Sequence, residues 1–349
     1  MDLIVRGMKV FLRVEAGITR NGVTETVRGP GTSNASGLSA RTRAQARKLK
    51  RVARKGRALG IKAGRQLGGG EAGGVRPQNV VWIFGAGRTG STWLSRMMGE
   101  LKGYTVWFEP WVGALFDPYH LRLEERAKGE HFILAPEYRS AWLRPIRSFV
   151  LDGADARFPE LGEDRYLVIK EPGGSVGAPL LMEALPESRM ILLTRDPRDA
   201  VSSWMDARRK GGWRREDGNK ENQETLADED PEAYIKRRAK SYLQVMGGAK
   251  QAYDAHEGRK VLVRYEELRA DTLGTMERIY STLEMPVNEG ELARAVKKHS
   301  WESIPEEEKG EGKFYRKATP GGWREDLTPG QVKAVERITA PLLNELYPS

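Results

Sequence analysis

After residue 79, five short apolar runs recur along the chain, with stretches of helical pattern between them. These runs predict β-strands over residues 80–84, 105–108, 166–170, 189–194 and 260–264. Strands that alternate with helices form parallel βαβ units, whose sheet is covered by helices on both faces. We therefore predict an α/β fold with a central parallel sheet. Ligands of such sheets bind beyond the carboxyl ends of the strands.

The first predicted strand runs into a glycine-rich turn, residues 84–94, with the sequence FGAGRTGSTWL. A helical pattern follows, so the turn lies at a helix N-terminus. Its three glycines let the backbone approach a bound group closely, and free N–H groups with the helix dipole favour phosphate or sulfate. The turn nearly matches the Walker A pattern, but Ser91 stands where the lysine should be and Arg88 lies inside the loop. The turn therefore predicts a P-loop-like anion site.

A second motif follows the fourth predicted strand, in residues 189–204, RMILLTRDPRDAVSSW. The apolar run ends at Arg195, a proline-containing turn comes next, and a helix begins near Asp199. Arg195 and Ser203 are eight residues apart, on the turn and two helical turns along. Both therefore lie within reach of one phosphate.

Together these motifs resemble the PAPS-dependent sulfotransferases, which move a sulfuryl group from 3′-phosphoadenosine 5′-phosphosulfate (PAPS) to an acceptor hydroxyl or amine. The resemblance covers residues 79–345 and implies the sulfotransferase fold, with PAPS as the sulfuryl donor. It implies that Arg195 and Ser203 hold the 3′-phosphate and that Arg88 neutralises the leaving phosphate. The residues that it assigns to the 5′-phosphate are Arg88, Thr89, Gly90, Ser91 and Thr92.

The C-terminal segment 314–328, FYRKATPGGWREDLT, resembles the family's loop that folds over the nucleotide. The resemblance implies that Arg316 and Lys317 also hold the 3′-phosphate. This chain has Ala318 where the family usually has glycine, so we expect its backbone to be less free to adopt a positive φ.

Three aromatic residues resemble the positions that contact adenine in the family. Tyr265 ends the predicted strand in KVLVRYEEL, Trp301 lies in HSWESI, and Trp93 follows the phosphate loop. The alternative is that all three are core residues.

In this family the acceptor is activated by a histidine after a strand-end lysine or by a glutamate after the second strand. Here Pro172 occupies the histidine position, which leaves Glu109 as the predicted general base and Glu171 as its competitor. Lys170 matches a lysine near the transferring sulfuryl group. A salt bridge or helix cap is the alternative role for Glu109. We expect desolvation by neighbouring aromatic residues to raise the pKa of Glu109, these being Trp107, Phe108 and Trp111.

Composition and the length of the apolar runs exclude several classes of site and segment. The chain has no cysteine, which excludes a disulfide framework and cysteine-based sites and fits a reducing compartment. Its four histidines form no metal-ligand cluster, so we expect no metal. No apolar run reaches the roughly 18 residues that span a bilayer, and a signal-peptide pattern is missing. We predict a cytoplasmic protein without a transmembrane helix.

The net charge of +10 belongs to the N-terminal part, since residues 1–79 hold 17 Lys and Arg against 4 Asp and Glu. Residues 1–15 are amphipathic, 41–67 read as a basic helix, and 68–74 form a glycine-rich linker. Contact with an anionic membrane surface or another polyanion is one interpretation, and a solvated tail without a partner is the other.

We therefore divide the chain into a basic segment, residues 1–75, and a sulfotransferase catalytic domain, residues 76–349, with a loop at 207–231 near the acceptor entrance. By family analogy the acceptor is a carbohydrate or a glycosylated or lipid-linked molecule. The alternatives are a P-loop kinase and a non-enzymatic polyanion-binding protein. The sequence does not indicate an oligomeric state.

Overall fold

The computed structural model describes residues 74–116, 138–207 and 230–347. The predicted N-terminal amphipathic, basic and linker segments up to residue 73 lie outside these described residues, as does nearly all of the predicted 207–231 loop. Val75 is buried in the core and its N–H donates to Asp155 across 3.2 Å. The hydrophobic core therefore includes Val75, the last residue that the prediction assigned to the basic segment.

All five predicted strands are present, and they form one parallel sheet in the order β2-β3-β1-β4-β5. Their bounds are β1 Val80–Gly85, β2 Tyr104–Phe108, β3 Tyr166–Lys170, β4 Arg189–Thr194 and β5 Lys260–Arg264. Every residue of β1 and β4 is buried, as expected for central strands covered on both faces. The predicted α/β fold is confirmed.

The helices lie between and after the strands. In chain order they are α1 Ser91–Gly99, α2 Arg139–Arg157, α3 Ala178–Ala184, α4 Pro197–Ala207, α5 Pro231–Ala255, α6 Tyr265–Ala270, α7 Thr272–Thr282, α8 Glu289–Lys298, α9 Trp323–Asp326 and α10 Pro329–Leu346. Helix α4 begins two residues before the predicted start near Asp199, because a proline is well tolerated in the first turn. Within the described ranges, no helix is long and apolar enough to cross a membrane.

The alternation of side chains along β1 divides the core between the two faces of the sheet. Trp82 and Phe84 stack on each other at 5.2 Å and face a cluster that includes helices α2, α3 and α5. Val81 and Ile83 face the other cluster, with helices α1 and α7. Burial of both faces fixes the register of β1 and so sets where its glycine turn emerges.

Because all five strands run parallel, their carboxyl ends meet at one edge of the sheet. Each strand brings a predicted site residue to that edge: Arg88 after β1, Glu109 after β2, Lys170 at the end of β3, Arg195 after β4 and Tyr265 after β5.

Candidate functional site

A cavity of about 270 Å³ opens at this edge of the sheet. Among residues 74–116, 138–207 and 230–347, six Lys or Arg line it, against a single Asp or Glu. Such a balance of charge favours an anionic ligand. The predicted site residues among its lining are Arg88, Gly90, Ser91, Thr92, Trp93, Glu109, Lys170, Arg195, Ser203, Tyr265, Trp301, Arg316 and Lys317.

Thr89 is the one predicted site residue whose side chain does not line the cavity. It is fully buried, and its hydroxyl donates to the carbonyl oxygen of Ala86 across 2.8 Å. The hydroxyl therefore braces the glycine turn from within.

The glycine turn requires Gly90 for two reasons. Gly90 has a φ of 91°, in the left-handed region, where glycine carries no penalty. A Cβ atom at this position would also lie 2.7 Å from the ring of Tyr265. Arg88 has a positive φ of 73° as well, and its backbone strain is of the kind that accumulates at functional sites.

Arg88 reaches from the glycine turn to two other segments. Its Nε donates to the Ser203 hydroxyl across 2.9 Å and its Nη2 to the Phe314 carbonyl across 2.8 Å. Burial, together with the charges of Arg195 and Arg316, lowers the pKa of Arg88 to about 10. Three guanidinium groups thus lie close together beside Ser203, where an anion would relieve their repulsion.

Arg195 is held in place by a hydrogen bond to its backbone carbonyl and by contact with the Tyr265 ring. Its carbonyl accepts a hydrogen bond from the Tyr242 hydroxyl, and its guanidinium carbon lies 4.3 Å from the centroid of the Tyr265 ring. One of its guanidinium nitrogens donates to the Arg88 carbonyl across 3.1 Å. Its buried Nε has no hydrogen-bond partner in the part of the chain that the structure describes. A buried donor without an acceptor is costly, so this atom is suited to a ligand oxygen.

The C-terminal loop brings Arg316 and Lys317 to the same cavity. Arg316 donates through Nη2 to Ser202, across 3.1 Å, and to Asp326. Lys317 donates to Glu325 and Asp326, each across 3.0 Å. The next residue, Ala318, has a φ of 51°. The loop therefore adopts the left-handed conformation although alanine stands in the place of the family's glycine.

The three predicted adenine-contacting aromatic residues meet on one side of the cavity. The rings of Trp93 and Tyr265 pack edge to face at 6.3 Å, and the Trp93 indole N–H donates to the His299 carbonyl across 2.7 Å. Trp301 follows two residues later and also lines the cavity. Tyr265 is buried, whereas Trp93 and Trp301 are half-buried.

Glu109 forms an ion pair with Lys170 at the cavity wall. The Lys170 side chain is 3 % exposed and that of Glu109 is 32 % exposed. Burial lowers the pKa of Lys170, and its hydrogen bond to Glu109 opposes that effect. The Lys170 ammonium also lies 4.0 Å from the centroid of the Phe108 ring.

The desolvation predicted for Glu109 from its aromatic neighbours is not found. Phe108 and Trp111 are 51 % and 58 % exposed. Trp107 packs edge to face on Phe158 instead. Glu109 has a φ of 46° and Trp111 one of 61°, so the backbone after β2 leaves the extended conformation in a turn that carries Glu109 and Trp111.

The buried carboxylate at this position is Glu171, and not Glu109 as predicted. The Glu171 carboxylate accepts the Trp111 N–H across 3.0 Å, and burial raises the pKa of Glu171 to about 7. Glu171 is 1 % exposed and is not among the residues that line the cavity. It therefore braces the turn that carries Glu109.

Among the residues near the site that the sequence did not predict are Arg269 and Asp199. Arg269, on α6, lines the cavity and donates to the Ala318 carbonyl across 3.1 Å. Asp199, in the first turn of α4, accepts two backbone N–H groups of the C-terminal loop. The one sequence signal that could have indicated Asp199 is its position at a helix start, four residues after Arg195. Among the residues that the structure describes, no group of three or more His, Cys, Asp or Glu could hold a metal ion.

A family model described as "Sulfotransferase family" matches residues 81–289. Solved structures resemble the chain at low identity. Sulfotransferase STF9 from Mycobacterium avium is 16 % identical over 78 % of this chain and 77 % of its own, with a TM-score of 0.47. Mouse sulfotransferase SULT7A1, solved in complex with PAP, is 14 % identical over 78 % of this chain and 87 % of its own, with a TM-score of 0.49. No curated protein matches the chain.

Proposed function

The chain belongs to the sulfotransferase family, and from this premise we propose that it moves a sulfuryl group from PAPS to a hydroxyl or amine of its acceptor. The observation that carries the choice of donor is the cluster of Arg88, Arg195 and Arg316 beside Ser203. Three guanidinium groups that repel one another in a buried site call for a multiply charged anion. A Walker lysine is absent, which favours this proposal over a P-loop kinase.

The residues present fit a nucleotide with phosphate groups at both its 3′ and 5′ positions. The buried Nε of Arg195 lacks an acceptor within the described residues, and Arg316 uses only Nη2 for its bonds to Ser202 and Asp326. These donors would hold the 3′-phosphate with Ser203 and Lys317. The glycine turn and the N-terminus of α1 would hold the 5′-phosphate group. Trp93, Tyr265 and Trp301 offer aromatic surface for adenine.

PAPS supplies an activated sulfuryl group, and the chain supplies position and charge. We assign Lys170 to the transferring group, because its buried ammonium lies on the last residue of β3, beside Glu109. Glu109 is the proposed general base, since its carboxylate lines the cavity and that of Glu171 does not. The ion pair with Lys170 orients the Glu109 carboxylate toward the acceptor position.

The surroundings of Glu109 support an acceptor with a flat apolar face. Phe108 and Trp111 flank it and are largely exposed, so their rings can stack on such a face. A carbohydrate, or a glycosylated or lipid-linked molecule, has faces of this kind.

We also propose a cytoplasmic location, with residues 1–73 contacting an anionic membrane or polyanion through their excess of Lys and Arg. Liposome sedimentation of the full chain with and without anionic lipid tests the membrane contact, and equal sedimentation would contradict that contact.

Thermal shift with three nucleotides tests the choice of donor. We expect 3′,5′-ADP to stabilise the protein far more than 5′-AMP or ATP, since a ligand at 100 times its Kd adds about 2.7 kcal/mol to the free energy of unfolding. Equal shifts, or a shift with Mg-ATP alone, would overturn the proposal. Incubation with labelled PAPS and a panel of acceptors, with and without EDTA because no metal is proposed, then identifies the acceptor.

A further inference from the structure

Helix α4 and the C-terminal loop are joined by a buried carboxylate. Asp199, which is 1 % exposed, accepts the Gly321 N–H through Oδ2 across 2.7 Å and the Trp323 N–H through Oδ1 across 3.0 Å. Both carboxylate oxygens are thus bonded to the backbone of the loop that carries Arg316 and Lys317. Charge-assisted hydrogen bonds of this kind are among the stronger ones in proteins.

The conformation of the loop depends on this contact. Gly321 has a φ of 81°, and in this conformation the N–H groups of Gly321 and Trp323 both point to the Asp199 carboxylate. The carboxylate lies in the first turn of α4, where the helix dipole favours a negative charge. Asp199 therefore fixes one end of the loop at a defined place on α4.

The loop is attached to α4 at two further points. Asp206 Oδ2 accepts the Gly312 N–H across 3.0 Å, and the Ser202 hydroxyl donates to Asp326 across 2.8 Å. Residues 199, 202 and 206 follow the helical spacing of three and four, so they share one face of α4. Ser203 is the neighbour of Ser202 on the same helix and bonds Arg88.

We propose that Asp199, with Asp206 as a second anchor, is a positioning residue for the 3′-phosphate. The two carboxylates hold the C-terminal loop on α4, and this sets the separation of Arg316 from Arg195 and Ser203. Neither needs to touch the nucleotide. The inference rests on the proposed function, because it presumes a ligand with a 3′-phosphate.

Calorimetric titration of the Asp199→Asn variant with each of two nucleotides, 3′,5′-ADP and 5′-AMP, tests the inference. The asparagine keeps the size of the side chain but places an NH₂ group against one of the two backbone donors. We expect the Kd for 3′,5′-ADP to rise at least tenfold and the Kd for 5′-AMP to change less than about twofold. A general loss of folding would weaken both ligands alike.

Asp271→Asn is the matched control. Asp271 also accepts a backbone N–H at a helix start, from Gly274 across 2.9 Å, but it is exposed and does not line the cavity. We expect it to change neither Kd. If Asp199→Asn does not fold, Asp206→Asn goes through the same titrations, with the same selective loss expected.

The outcomes separate the two proposals. If the unaltered protein binds 3′,5′-ADP no better than 5′-AMP, the proposed function fails. If it prefers 3′,5′-ADP and the folded Asp199→Asn or Asp206→Asn variant keeps that preference, the positioning role is overturned.

Discussion

The Nε atom of Arg88 donates to the hydroxyl of Ser203 across 2.9 Å, although the two residues are 115 positions apart in the chain. Arg88 comes from the turn after β1 and Ser203 from helix α4, after β4. These strands are neighbours in the sheet, so their carboxyl ends present both residues to one cavity. The anion site is therefore assembled across the centre of the sheet.

Arg195→Ala should weaken nucleotide binding, because it removes the hydrogen bonds that Arg195 is proposed to make to the 3′-phosphate. The change removes charge-assisted hydrogen bonds worth roughly 1.5 to 3 kcal/mol each, so we expect the Kd for 3′,5′-ADP to rise tenfold or more. Calorimetry with 3′,5′-ADP measures this. Arg294→Ala, an exposed arginine on α8, is the control and should leave the Kd unchanged. Unchanged affinity in a folded Arg195→Ala protein would mean that the 3′-phosphate site is elsewhere.

Ala318→Gly should stabilise the protein slightly. Ala318 has a φ of 51°, which costs a residue with a Cβ roughly 1 to 2 kcal/mol. Glycine relieves this strain, but its greater entropy in the unfolded chain lowers the free energy of unfolding by roughly 0.5 to 1 kcal/mol. We expect a net gain of up to about 1.5 kcal/mol in the free energy of unfolding in urea.

The comparison variant for this prediction is Ala293→Gly. Ala293 is exposed within α8, where glycine costs about 1 kcal/mol. The two substitutions should therefore act in opposite directions. A loss of stability in Ala318→Gly would show that the left-handed conformation is not strained.

The strands and the phosphate motifs could be predicted from the sequence because their signals are local. Each apolar run favours burial through its own side chains, without information from distant residues. All five strands lie within one residue of their predicted bounds. The contacts that Asp199 makes with Gly321 and Trp323 join residues more than 120 positions apart. No local pattern encodes such a contact, so this carboxylate was missed.

The surroundings of Glu109 could not be predicted for a related reason. Three aromatic neighbours in sequence indicate an apolar environment, but Phe108 and Trp111 are largely exposed and the chain turns at Glu109 and Trp111, both with positive φ. The direction of a side chain after a strand depends on turn conformation, which composition does not determine. The neighbouring Glu171 is buried in its place.

Glu171 should make stability depend on pH. Burial raises its pKa from 4.5 to about 7 in the folded protein, so the folded state holds more protons than the unfolded chain between these values. The free energy of unfolding should therefore fall as pH rises from about 4.5 to 7, by at most about 1.4 kcal/mol per pH unit for one proton.

Urea unfolding at several pH values compares the unaltered protein with Glu171→Gln, which cannot titrate. The difference between the two curves should slope across this window and level off above it. Glu277→Gln, at an exposed position on α7, is the control for the loss of one carboxylate. A flat difference for Glu171→Gln would contradict its raised pKa.

Removal of residues 1–73 should leave nucleotide binding intact. The cut keeps Val75, which is buried, and Arg76, which pairs with Glu163. Every residue assigned to the nucleotide lies after the cut. Titration of the shortened chain with 3′,5′-ADP should give the Kd of the full chain within about twofold, the usual scatter of such comparisons. A folded fragment that no longer binds would show that the N-terminal segment completes the site.

Glu109→Gln should abolish most turnover and spare nucleotide binding. The substitution keeps the size of the side chain and its hydrogen bond from Lys170 but removes the proton acceptor. General-base catalysis contributes on the order of 10² to 10⁴, so kcat with a working acceptor should fall by about 10²-fold or more. The Kd for 3′,5′-ADP should stay nearly unchanged, because the base acts on the acceptor. Glu171→Gln is assayed beside it at a pH where both variants are folded, and it should keep most of its turnover because Glu171 is outside the cavity lining. Near-normal kcat in Glu109→Gln together with a large loss in Glu171→Gln would move the base from the end of β2 to the end of β3.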